Sequence, residues 1–406
     1  MSDDAPAAPS DAAPRRRWKR LFVWTSAALA VVLVAGVGTA YAYYRVLRGN
    51  MVQHDLSSAL DEEERPPKIG EDINILFIGS DGREGGNSAY GGRDFVGERS
   101  DSLMLAHISP DNGVTMVNFP RDSLVQLPEC QPYEGTEGTY GYYGMINAAL
   151  YHGGPPCAVK TIETLTDIRI DHFVHLSFVG FRDMVDAIGG VEMCIPEPMR
   201  DERSKLDLEA GQQVLDGEQA LAFVRARYEI GDGGDIGRID RQQMFLGALA
   251  EQVTSSDVLT SPSRTTSLLQ AVSEHTATDQ DLSLDQMISI GSTLADVDLH
   301  DITFYTVPWW PAPLDPNRVV WDEERAAELF QAINNDRRLD DAALETGAPS
   351  APGASPSPSA QPSPSYPAEP STEPVDAAAD QAEAIEGRDA TSNPCVNGLG
   401  EGTEEE

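Results

Sequence analysis

Four stretches of this chain put arginine beside aspartate. FIGSDGR carries Asp81 and Arg83, GERSDSLML carries Arg99 and Asp101, VNFPRDSLV carries Arg121 and Asp122, and FVRARYEIGDGGDIGRIDRQ carries Arg225, Arg227, Arg238, Arg241 and Gln242. Guanidinium is planar, permanently charged and shaped for bidentate contact with phosphate or carboxylate. One Arg–Asp pair is an ordinary surface ion pair or turn former, but four such stretches point to a shared anion site. Arg225 and Arg227 stand at i and i+2, on one side of an extended chain but about 200° apart on a helix. An extended FVRAR therefore aims both at one ligand, and the glycines of GDGGDIGR let Arg238 reach it too. Asp81 and Asp101 are candidate ligands for a hard cation such as Mg2+ or Mn2+, which takes one or two carboxylates and fills its shell with water and phosphate oxygens. Asp122, next to Arg121, is placed to hold arginines or to join the chemistry.

Other catalytic sets are not apparent. GSDG (residues 79–82) is one residue short of the strained turn that presents a nucleophilic serine. His107, His152, His172 and His175 lack ligand spacing and read as core or rim residues.

Around these arginines the protein is acidic, with 66 Asp plus Glu against 29 Lys plus Arg and a net charge of −37. Nucleic acid is met by basic surfaces, so general nucleic-acid binding is excluded. The basic run RRRWKR precedes the uncharged segment Leu21–Tyr44. Roughly 20 apolar residues cross a bilayer, and flanking positive charge stays cytoplasmic. AYA at 40–42 resembles a signal-peptidase site, but signal-peptide cores run only about 7–15 residues. The expectation is an uncleaved single-pass anchor, with the N-terminus cytoplasmic and the rest of the chain extracytoplasmic. The four cysteines, Cys130, Cys157, Cys194 and Cys395, have no zinc spacing. In an oxidising compartment they suggest two disulfides. Three connectivities exist; Cys130 with Cys157 across a loop-rich stretch, leaving Cys194 for Cys395, is the favoured one.

To position these residues, apolar runs read as strands at 73–78, 102–108, 114–119, 173–176, 191–195 and 302–307, with helical periodicity at 158–165, 178–188, 217–223 and 241–253. Alternating strands and helices predict an α/β fold, a mixed central sheet flanked by helices. The expected organisation is a basic tail (1–20), an anchor (21–44), a spacer (45–67), one domain (68–339) and a Pro/Ser-rich acidic tail (340–406) too polar to order itself.

In order along the chain, NILFIGSDGR, ERSDSLMLAHI, MVNFPRDSLV, MINAALYHGG, FVGFRDMVDAIGGVEMCIP and LDGEQALAFVRARY…GDIGRIDRQ resemble the LytR-CpsA-Psr family over about residues 73–253. A Gly-rich insert between Arg83 and Arg99 departs from the family pattern. The resemblance implies a magnesium-dependent enzyme that moves a glycopolymer from a polyprenyl-pyrophosphate carrier in the membrane lipid onto peptidoglycan. It implies that Asp81 and Asp101 hold the metal, and that Arg83, Arg99, Arg121, Arg225, Arg227, Arg238 and Gln242 surround the pyrophosphate. Arg121, Asp122, Arg225 and Arg227 would then carry the catalysis. A lipid-linked donor also needs an apolar tunnel, which helices 178–188 and 242–253 are composed to line. A hydrolase on the same donor, or a non-catalytic glycan binder, would use the same clamp.

Overall fold

The computed structural model describes residues 14–57, 59–80, 97–227, 235–255, 261–338, 385, 387–392 and 395. The chain divides into two compact units between Met51 and Val52. The first is a single helix, α1 (Pro14–Asn50). Its stretch Leu21–Asn50 is long and apolar enough to cross a membrane, and its Leu, Val, Phe and Trp side chains from Leu21 to Val37 are exposed. The helix continues beyond the expected end at Tyr44 because nothing between 45 and 50 but Gly49 disfavours helix.

The second unit is a layered α/β domain. Its strands are β1 (Val52–His54), β2 (Ile73–Ser80), β3 (Ser100–Ile108), β4 (Val114–Phe119), β5 (Leu124–Leu127), β6 (Tyr142–Met145), β7 (His172–Ser177), β8 (Val191–Ile195), β9 (Met199–Asp201), β10 (Leu206–Leu208), β11 (Gly211–Leu215), β12 (Thr276–Asp279), β13 (Ile302–Thr306), β14 (Trp309–Ala312), β15 (Asp315–Trp321) and β16 (Gly387–Asp389). Its helices are α2 (Ala148–Thr166), α3 (Phe178–Ile188), α4 (Gly217–Arg225), α5 (Asp235–Ser255), α6 (Pro262–His275), α7 (Leu284–Ala295) and α8 (Glu323–Asn334). Eight strands form the central sheet in the order β1-β12-β7-β2-β3-β4-β13-β16. β7 and β2 run parallel, β3 is antiparallel to both of its neighbours, and β4 is parallel to β13.

Side chains alternate between the two faces of a strand, and here each face has its own helical cover. Leu76, Ile78, Leu103, Leu105 and Val117 pack with α2 and α8 through Leu150, Ile162 and Leu329. The opposite face, with Ile75, Ile108 and Val174, meets Met287 and Ile290 of α7, while Val114 and Phe304 meet Leu246 and Ala250 of α5. A further cluster joins α3, α4 and β8–β11 around Phe223 and Phe245. Local signals set the helix ends near the arginines. Ser177 caps α3 by accepting from the Gly180 N–H, and Gly189 ends it at φ +92°. Asp216 and Gln219 close a reciprocal cap on α4.

Three expectations need correction. Residues 45–67 are more than a spacer, because β1 pairs with β12 and Leu56 and Leu60 are in the core. The tail is not loose throughout: β16 pairs with β13, and Ala390 is buried against Val114 and Ile302. Residues 340–384 lie outside the described residues. Finally, α2 starts at Ala148, ten residues before the expected helix; the apparent breakers Gly153 and Gly154 form a kink inside it. The cysteines are joined as Cys130–Cys157 and Cys194–Cys395.

Candidate functional site

The arginines converge where β2, β4 and β7 end and β3 begins, because β3 runs opposite to its neighbours. A buried Ser80–Glu98–His175 cluster fixes this edge: Ser80 Oγ donates to Glu98 at 2.7 Å and lies 3.0 Å from His175 Nε2. Asp101 sits in the second position of β3 and accepts a hydrogen bond from Arg121 Nη1, which the turn after β4 delivers. The backbone N–H of Arg121 donates to Asp235 at 3.1 Å. Asp235, at the start of α5, also pairs with Arg238 one turn on, and Arg238 Nη2 donates to the Asp101 carbonyl at 2.9 Å.

Arg225 is the last residue of α4, and Ala226 turns extended with φ −57° and ψ 139°. That change brings the i, i+2 pair to one cavity, which both residues line. The Arg225 guanidinium lies over the ring of Phe178 at 4.5 Å, a cation–π contact that steers it toward the start of α3. The Arg227 N–H donates to Asp201 at 2.7 Å, and its guanidinium stands 3.6 Å from Asp122. Asp122 in turn accepts from Arg318 at 2.9 Å. Arg241 is different: it is buried and donates to the Ala226 carbonyl, tying the end of α4 to α5.

Five arginines, Arg121, Arg203, Arg225, Arg227 and Arg238, line this cavity beside two carboxylates, Asp101 and Asp201. Burial pushes Arg238 down to about 10, a direction Asp235 opposes and Arg121 and Arg227 reinforce, so it remains cationic at neutral pH. The Nε groups of Arg121 and Arg238 are buried and make no hydrogen bond among the described residues, although Asp235 stands 3.4 Å from Arg121 Nε. Buried donors without hydrogen bonds are costly, and this arginine cluster has the charge to suit an anion.

The site opens onto a cavity of about 430 Å3. Asp101, Arg121, Arg225, Arg227, Arg238 and Gln242 form its polar end; Phe77, Met104, Phe181, Leu221, Phe245 and Leu246 are among its apolar walls. The expected apolar lining from α3 and α5 is present through Phe178, Phe181, Phe245 and Leu246. Gln242 accepts from Ser102 at 3.3 Å and so faces the β3 edge.

Two expected residues, Asp81 and Arg83, lie outside the described residues. Asp81 follows Ser80, whose partner across the β2–β3 ladder is Ser100, the neighbour of Asp101. Among the described residues no three His, Cys, Asp or Glu side chains cluster as a ready metal cage. One or two carboxylates beside the arginine cluster would suit Mg2+, which keeps most of its shell for water and substrate oxygens. Arg99 is exposed, its guanidinium 5.8 Å over the ring of Tyr151, and it does not line the cavity. Sequence reasoning missed Asp235, Asp201 and Arg318, which hold the arginines in place. Asp235 alone had a visible signal, in the charged GDIGR run.

A family model described as the LytR_cpsA_psr family matches residues 41–334. The chain is 34% identical over 274 residues to the probable cell wall biosynthesis protein LcpB of Corynebacterium glutamicum, covering 64% of this chain and 60% of that protein. It is 30% identical over 323 residues to the polyisoprenyl-teichoic acid–peptidoglycan teichoic acid transferase TagV of Bacillus subtilis, covering 74% of each. The match spans only 60% and 49% of the length of two Corynebacterium relatives. Among solved structures the fold is similar to a LytR-Csp2A-Psr enzyme from Actinomyces oris, with a TM-score of 0.54, 22% identity, and coverage of 70% of this chain and 96% of that one.

Proposed function

This chain belongs to the LytR-CpsA-Psr family, and from that premise we propose that it transfers a glycopolymer from a polyprenyl-pyrophosphate carrier to peptidoglycan, leaving a phosphodiester link. The observation that carries this reading is the meeting of an arginine cluster and an apolar cavity. A phosphate head and a hydrocarbon tail are the ligand such a site fits. That relatives such as TagV are named as transferases to peptidoglycan supports the acceptor.

In the proposed reaction an acceptor hydroxyl oxygen bonds to the sugar-side phosphorus, the bridging P–O bond breaks, and polyprenyl phosphate leaves as the hydroxyl loses its proton. Negative charge builds on the transferred and departing oxygens, where fixed positive groups do most for the rate. Arg121, Arg227 and Arg238 hold the two phosphates. Arg225, stacked on Phe178, guides the donor where apolar wall meets polar end. Asp122 positions Arg227, and Gln242 borders the β3 side. Asp101 and Asp81 would hold Mg2+ or Mn2+, which when bound neutralises phosphoryl charge. The α1 helix would anchor the protein in the bilayer that holds the donor, with its basic N-terminus cytoplasmic and the α/β unit outside.

The test is reconstitution of the full chain in detergent with a radiolabelled glycan donor on polyprenyl pyrophosphate and purified peptidoglycan. Label bound to peptidoglycan and released by phosphodiester cleavage is the expected result. Label released only as soluble glycan phosphate would identify a hydrolase and overturn the transfer.

A further inference from the structure

Exposed tyrosines recur in one stretch of the chain, residues 140–151. Outside α1, nine large apolar or aromatic side chains are exposed among the described residues, and four of them are Tyr140, Tyr142, Tyr143 and Tyr151. Two of these build a ledge. Tyr142 on β6 and Tyr151 on α2 both meet His152 edge to face, with ring centroids 5.4 and 5.2 Å apart. Tyr142 Oη lies 2.9 Å from His152 Nε2. Burial, and after it the charge of Arg99, holds His152 below its ordinary value, so at neutral pH the three rings are uncharged.

The ledge is held firmly. The His152 carbonyl accepts from Gly138 at 2.8 Å, and the adjoining loop is tied to α2 by the Cys130–Cys157 disulfide. A side chain at Gly153 would bring Cβ within 2.7 Å of Cys157 Cβ, and Gly154 takes φ +62°. Rigid, exposed, amphipathic rings are the chemistry that receives a sugar: the slightly positive C–H face of a pyranose stacks on the negative face of an aromatic ring.

The position of the ledge selects the sugar. Tyr151 carries Arg99 over its ring at 5.8 Å, so the ledge adjoins the strand that bears Asp101. Its helix packs on the sheet face of Leu76, Leu105 and Val117, whereas the apolar cavity opens on the face of Phe77, Met104 and Met116. In-line displacement at phosphorus sets the entering and leaving oxygens on opposite sides. With the departing lipid on the cavity face, the nucleophile comes from the α2 face. We propose that Tyr142, His152 and Tyr151 form the stacking platform for the acceptor glycan, a chain of neutral pyranose rings. This rests on the transfer reading above and deepens it.

The experiment uses the full chain in detergent, with chitohexaose as acceptor-like probe and geranyl pyrophosphate as donor-like probe. Tyr151→Ala and Tyr151→Leu should each weaken chitohexaose binding at least tenfold by calorimetry while geranyl pyrophosphate affinity stays within twofold, and Tyr151→Trp should restore the glycan. In the reconstituted reaction, Tyr151→Ala should raise the acceptor KM with kcat little changed. Unchanged chitohexaose affinity and acceptor KM in Tyr151→Ala would overturn the platform and leave the transfer reading standing. Parallel loss of both probes, or weakened binding of the glycosylated donor alone, also overturns it. A wild-type protein that binds chitohexaose through Tyr151 yet never transfers label would overturn the transfer reading and keep the platform.

Discussion

Arg227 is held at two points, its N–H on Asp201 and its guanidinium beside Asp122, so it is aimed before any ligand arrives. Preorganised charge of this kind is worth most in a partly buried site. Arg227→Ala should lower transfer by about 10²–10³-fold with the fold retained. Arg227→Lys should recover little, because an ammonium lacks the planar fork and cannot keep both the Asp122 contact and a bidentate phosphate. Arg225→Ala should lose both charge and the stack on Phe178, and fall similarly. Circular dichroism with single-turnover kinetics checks both; near-normal turnover in either alanine variant would remove that arginine from the clamp. The aspartates make a separate prediction. If Asp81 and Asp101 serve one ion, Asp101→Asn should raise the Mg2+ concentration for half-maximal activity at least tenfold. Asp81→Ala added to it should then cost little more, as expected for coupled sites. Full activity after exhaustive EDTA treatment would sink the metal.

At the scale of elements, the strands and helices that carry the motifs were readable because their signals are local. The apolar runs at 73–78 and 114–119 became β2 and β4, and the i, i+2 arginines became one site because α4 ends on the first of them. What escaped was short or long-range. β1 is three residues in a charged stretch, and only β12, more than two hundred residues on, makes it a strand. Nothing near Arg318 in the sequence points to Asp122. Yet the β14–β15 hairpin, which pairs Trp309 with Trp321 and bridges Ser123 to Val319, sets Arg318 on Asp122. Arg318→Ala leaves Asp122 free to draw Arg227 away from the phosphates. Transfer should drop roughly tenfold, more through kcat than through donor affinity, with a stability loss of about 1–2 kcal/mol for a half-buried pair. An Arg318→Ala protein with wild-type kcat and lost donor affinity would mean that Arg318 touches substrate directly.

The α/β unit is closed by a segment late in the chain. β16 pairs with β13 through residues 303–305, Ala390 packs against α5 near Gly247, and Cys395 is bonded to Cys194. Composition reads the Pro/Ser/Ala tract before it as a tether, but nothing in composition says that the following residues dock. Their partners on β13 and β8 become visible only in three dimensions. Deleting everything after Leu339 should therefore bare the edge of β13, an invitation to aggregate, and lower Tm by several degrees. Deleting 351–374 instead leaves about 20 linker residues, enough to span roughly 65 Å when extended, and should keep Tm within about 2 °C. Neither deletion touches Arg121, Asp122, Arg227 or Arg238, so freshly purified truncated protein should still transfer within a few-fold of the full chain. Differential scanning calorimetry and non-reducing gels decide it. Equal loss of Tm in the two deletions would mean that the tract itself, and not the docked segment, stabilises the domain.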